Sequence, residues 1–254
     1  MSLVDKDEKI VRAYEGSYTY LSQGRPYSEE NFYVILDHSE QTTTFHSEIN
    51  SRCPTGEFLK INVRYKISDN HLPLEVEITR KLGSKTSEEK FFCNHKTQKL
   101  DYEFECEDDF KNAFYSTPAR YHISTPATCV AFYFQLSKKF DPTRRNHYIV
   151  LFTQNEWAFN GPPNTRSLYL ERKKDDEEKL IINNQELHAS KFLIYKTIEP
   201  TAHEVPSIFY QSKHLGIPYD VILEENIEIK INYLRHLDKG ETIEDRLKNA
   251  TGQK

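Results

Sequence analysis

Ten histidines are the side chains of this 254-residue chain best placed for acid–base or ligand chemistry near neutral pH. His122 and His147 stand out, because each lies in a short segment flanking the most apolar run, residues 130–136 (VAFYFQL). If both point into one cavity, with Arg120 on the face of His122, they form a proton-transfer pair or a seat for an anionic group. His46 would be a third nitrogen for a metal. No ligand spacing joins it to the other two, so neither metal nor cofactor is assigned. Trp157, the only tryptophan, precedes the Gly161-Pro162-Pro163-Asn164 turn and would roof a pocket by stacking. Tyr133 stands inside the apolar run. Arg120, His122, Tyr133, His147 and Trp157 are therefore the ligand-binding candidates. The plainer alternative for each is structural: a sheet histidine satisfied by a neighbour, or a core tryptophan.

No catalytic motif accompanies them. The chain has no G-x-S-x-G, no Walker A loop, no G-x-G-x-x-G and no H-E-x-x-H. Cys53, Cys93, Cys106 and Cys129 form no C-x-x-C pair, and Cys93 and Cys129 lie in apolar segments, as small hydrophobes do. Lys138, Lys139, Arg144 and Arg145 would dock an anion or simply solvate a loop. Asp108 and Asp109 read best as a helix cap.

The net charge is −5, with both signs mixed along the chain and no basic stripe of the kind that nucleic acid requires. Aromatic residues reach 13%, with 16 Tyr and 15 Phe, a bias toward pleated, half-buried surfaces. No stretch approaches the ~20 apolar residues of a membrane span. The N-terminal residues carry no apolar leader, so the expected compartment is cytoplasmic, or periplasmic if a leader has been removed. The sequence does not address oligomeric state.

These side chains need a scaffold, and the periodicity supplies one. Residues 58–67 put Leu59, Ile61, Val63, Tyr65 and Ile67 on one face and Lys60, Asn62, Arg64 and Lys66 on the other. Similar short alternations recur at 15–21, 31–37, 41–49, 74–80, 90–94, 99–106, 120–124, 147–153 and 186–197. The stretch 207–234 reads as three strands in succession. Residues 130–136, apolar throughout, predict a strand covered on both faces. A charged tip at 173–179 predicts a solvated hairpin turn between strands at 168–172 and 180–182. Short helices are expected at 107–114 and 241–250. Two segments share a pattern of aliphatic, Pro, bulky, acidic, Val: Leu72-Pro73-Leu74-Glu75-Val76 and Ile217-Pro218-Tyr219-Asp220-Val221. They point to diverged halves at 14–115 and 120–238.

The closing run, a strand followed by Gly216-Ile217-Pro218 and two further strands, resembles the end of uncharacterised bacterial envelope proteins with lipocalin-like or lipoprotein-carrier-like β folds. The resemblance spans about 30 residues. It implies a curled antiparallel sheet around an apolar hollow and carries over no catalytic residue.

The expectation is thus an all-β domain over 14–238, with peripheral tails at 1–13 and 239–254. About 15 or more antiparallel strands would meander into a barrel or two-sheet sandwich. Its expected role is non-enzymatic binding of a hydrophobic or amphipathic small molecule in a barrel-like cavity. The alternatives are an enzyme using the same cavity through His122, His147 and Arg120, and a protein-interaction module.

Overall fold

The computed structural model describes residues 10–107, 109–139, 141, 145–152, 157–182, 185–197, 205–211, 216–223 and 226–237. Its strands in chain order are β1 (Ile10–Ser22), β2 (Arg25–Asp37), β3 (Thr42–Arg52), β4 (Phe58–Ser68), β5 (Pro73–Leu82), β6 (Lys85–Asn94), β7 (Lys99–Cys106) and β8 (Asp109–Ser116). They continue with β9 (His122–Ile123), β10 (Asn146–Phe152), β11 (Asn164–Ile182), β12 (Gln185–Tyr195), β13 (Ser207–Gln211), β14 (Pro218–Ile222) and β15 (Ile227–His236). All belong to one sheet, in the order β8-β7-β6-β5-β4-β3-β2-β1-β15-β14-β13-β12-β11-β10-β9. The first and last described strands meet at the middle of this sheet, where β1 pairs antiparallel with β15. From there two meandering arms run outward to the free edges β8 and β9. Only β9 and β10 run parallel.

The two-residue period builds the core. Ile61, Val63, Tyr65 and Ile67 of β4 are buried, while Arg64 on the other face ion-pairs with Glu75 and Glu77 of β5 at 3.0 and 3.6 Å. Each arm is apolar on one face, so the sheet must roll to hide that face. The roll does not end edge to edge. The backbone N–H of Ile123 in β9 donates to the buried hydroxyl of Tyr65 in β4, 3.2 Å away. β9 also packs against β5. One end of the sheet therefore tucks inside strands of the opposite arm, giving an open spiral.

Residues 117–137 fill the spiral as a plug. They contain two 3-10 turns, Thr128–Val130 and Tyr133–Ser137. Phe132 stacks on Phe209 of β13 at 4.1 Å and 7°. Phe134 meets Tyr148 of β10, and Tyr133 meets Phe45 of β3. Gly216, just before β14, has φ +67°, and a Cβ there would stand 2.7 Å from the Tyr133 ring. Both its backbone and its neighbour require glycine.

Several expectations are corrected here. Residues 130–136 are not a strand, because an unbroken apolar run signals burial on all sides without fixing a period. Residues 107–114 hold no helix: β8 occupies Asp109–Ser116, since pairing with β7 overrides a weak local preference. The strand expected at 120–124 is two residues, His122–Ile123. The charged tip 173–179 is no turn: β11 runs through it, with a register shift against β12 between Arg172 and Glu177. β1 starts at Ile10, inside the expected lead-in. The helix expected at 241–250 lies outside the described residues. The two proline motifs behave alike. Pro73 and Pro218 each open a strand, and in each the next residue is skipped in the register before the acidic residue and valine re-enter it.

Candidate ligand cavity

A cavity of about 700 Å³ lies between the plug and the C-terminal arm. Strand register explains its walls. Phe209, Val221, Ile229 and Tyr20 lie side by side on β13, β14, β15 and β1. One step along, Ile194 of β12 faces Ser207 of β13. Phe132 and Phe134 of the plug close the inner side. Along β11 the inward residues go from buried Leu170 through half-buried Leu168 to exposed Arg166. Along β12 they go from buried Phe192 through half-buried Ile194 to exposed Lys196. The strands are antiparallel, so both series open at the same end, which is the mouth. Arg166 lies over the Phe152 ring, 5.2 Å from its centroid.

The polar part of the wall is anchored on Glu30. This β2 carboxylate is fully buried, yet it accepts from the Tyr20 hydroxyl at 2.6 Å and the Ser47 hydroxyl at 2.9 Å. It also accepts from the backbone N–H groups of Thr128 and Cys129, at 2.8 and 3.2 Å. One residue thus ties β1, β2, β3 and the plug together, and four donors offset the cost of burying its charge. The Tyr20 and Thr128 hydroxyls, 2.7 Å apart, face the cavity. Burial first, and then Glu30 beside it, hold the Tyr20 hydroxyl well above its ordinary pKa, so it remains a neutral donor.

A second buried polar group lies in the N-terminal arm, outside the cavity lining. Arg80 donates to Glu89 at 2.8 Å, and Tyr102 donates to the other Glu89 oxygen at 2.9 Å. Among the described residues no group of three His, Cys, Asp or Glu is arranged to hold a metal. Burial raises the Cys93 thiol to about 12, which suits a small packed hydrophobe.

None of the five sequence-derived candidates lines the cavity. His122 is buried against Phe134 and Tyr148, directly behind the wall, with Nε2 3.2 Å from the Ser137 hydroxyl. Burial lowers its pKa to about 3, with help from the positive charges of His95, Lys138, Arg120 and His71. His147 faces outward on β10, is exposed, and places Nε2 3.0 Å from the Ser167 hydroxyl. The two histidines therefore do not share a hollow. Exposed Arg120 donates to the Ser137 carbonyl at 3.3 Å. Tyr133 turns from Phe45 toward His71. Trp157 is half-buried at the start of a segment whose Phe159 packs near Tyr102 and Phe104. His46 stacks on Tyr33 on the outer face of β3. What sequence reasoning missed was Arg166 and Lys196. Their signal is a cation in inward phase at the end of an apolar alternation.

No protein-family model matches the chain, and no curated protein matches it. Solved structures do. Over 90% of this chain and 99% of the other, it is similar to a β-barrel-like protein of domain of unknown function DUF1849 from Brucella abortus, with a TM-score of 0.55 and 7% identity. A DUF1089 family protein from Pseudomonas aeruginosa aligns over 76% of this chain and 88% of its own, with a TM-score of 0.49 and 8% identity. At such identity the likeness to the Brucella protein shows the fold alone: a large, mostly antiparallel, barrel-like sheet in proteins of unknown function. No helix among the described residues is long and apolar enough to cross a membrane.

Proposed function

We propose that the protein binds a hydrophobic or amphipathic small molecule in the cavity beneath Arg166 and Lys196, without chemical turnover. The observation that carries this reading is the cavity itself. Its volume of about 700 Å³ falls within the ~300–1,000 Å³ range of small-molecule sites. Its walls are aliphatic and aromatic, with a few polar groups at the Tyr20–Thr128 pair and at the mouth. Half-buried Leu168, Ile194, Leu223 and Ile227 keep apolar surface exposed inside it, and a ligand covering that surface gains ~25 cal/mol per Å² before association costs. Arg120, His122 and Tyr133 enter this reading as supports behind the wall. The enzyme alternative draws no support from the separated histidines.

The test is titration with Nile red, a neutral apolar dye whose emission rises when it leaves water. Wild-type protein should bind it saturably, and Leu168→Trp, which fills the hollow from a half-buried position, should weaken binding at least tenfold. Equal binding by both proteins, with unchanged thermal melts, would remove the cavity as the site.

A further inference from the structure

Resting on that reading, we infer that the ligand is a single-chain aliphatic amphiphile with an anionic head, its head at Arg166 and Lys196 and its tail running inward toward Phe132. Along β11 and β12 the polarity of the cavity wall changes in one direction. Moving outward along β11 and β12, leucine or phenylalanine gives way to a half-buried aliphatic residue and then to a cation, twice over and at the same end. Continuing the β11–β12 register one pair beyond Tyr169 and Tyr195 sets Lys196 opposite Leu168. Arg166 then becomes its diagonal neighbour, roughly 7–8 Å away and close enough for one head group to meet both. Arg166 stands 5.2 Å from the Phe152 ring centroid at the rim, and its planar fork suits a carboxylate or phosphate. Ser207, opposite Ile194 on the inward face, adds a hydroxyl at the same level. No carboxylate is among the described lining residues. The inner end offers the opposite environment, with Phe132, Phe134 and Val221 all buried.

The experiment uses three probes of equal tail length: laurate, dodecanol and dodecyltrimethylammonium, each titrated calorimetrically below its micelle concentration. Wild-type protein should bind laurate about tenfold or more tightly than dodecanol, as charge-assisted hydrogen bonds require. The dodecyltrimethylammonium ion should bind weakest, and the laurate advantage should shrink as salt rises. The double variant Arg166→Glu and Lys196→Glu changes exposed positions, so its melt should match wild type while its preference inverts toward the cation. Equal affinity for laurate and dodecanol, or laurate affinity unchanged in the double variant, overturns the head-group assignment and leaves the cavity reading standing. Binding of none of the three probes, together with failure of Nile red to bind, overturns both.

Discussion

At His122, location decides charge. The side chain is enclosed by Phe134 and Tyr148, and four positive or potentially positive groups surround it: His95, Lys138, Arg120 and His71. Its folded pKa, about 3, lies below the ordinary 6.5. The folded state thus binds fewer protons than the unfolded chain between those values. Stability from this residue is whole above pH 6.5 and is lost as pH falls. The slope reaches its limit of ~1.4 kcal/mol per pH unit only well below pH 6.5, so acidification from 6.5 to 4.5 costs about 2 kcal/mol through this one group. His122→Gln retains a partner for Ser137 and cannot ionise. Urea unfolding at both pH values should show wild type losing about 2 kcal/mol more than the variant on acidification. A parallel loss in both would assign the acid sensitivity elsewhere. The sequence made His122 visible because it flanks the most apolar run. It hid Arg166, because a lone chain does not reveal which cation at a strand end is in inward phase until the register with β10 and β12 is known.

The elements divide by how strongly their pattern speaks. β4, β7 and β15 alternate cleanly and stand where the periodicity puts them. β8 is mostly exposed, so no buried face marks it, and only its ladder with β7 defines it. The plug was misread because burial from all sides erases any period. One sign of it was legible. In β2, Ser28, Glu30, Phe32 and Val34 share the inward face, and an acid on such a face demands donors from elsewhere. Those donors are the backbone of the plug. With the Tyr20 and Ser47 hydroxyls the donors number four; Glu30→Ala leaves all of them without a carboxylate, and equilibrium denaturation should register a loss of roughly 3–5 kcal/mol. Ser47→Ala, which removes a single donor, should cost about 1 kcal/mol. If the two variants lost the same amount, Glu30 would not be the point that pins the plug.

Over the whole molecule, the arms ending at β8 and β9 meet through side chains and the plug, with no ladder between them. The chain is consequently least constrained by backbone pairing where it passes from β8 to the plug. A break between Pro118 and Ala119 lies beyond the Thr117 N–H that donates to the Gln98 carbonyl at 2.9 Å, and it cuts no strand pairing. Co-expressed fragments on either side of this break should assemble into a complex that melts cooperatively. The N-terminal fragment alone, with Phe45, Ile49 and Tyr65 uncovered, should aggregate or bind apolar dyes. Independent cooperative folding of that fragment would contradict a shared core.

The pairing of β1 with β15 sets a timetable. Tyr18 must find Ile231, and Tyr20 must find Ile229, after almost the entire chain has left the ribosome. At ~5–20 residues per second, the first strand waits roughly ten seconds or more for its partner. In that interval Phe32 and Phe45 of its neighbours lack the plug and the far arm that cover them. The nascent polypeptide therefore carries open apolar surface during translation, and its final collapse is a late, long-range event.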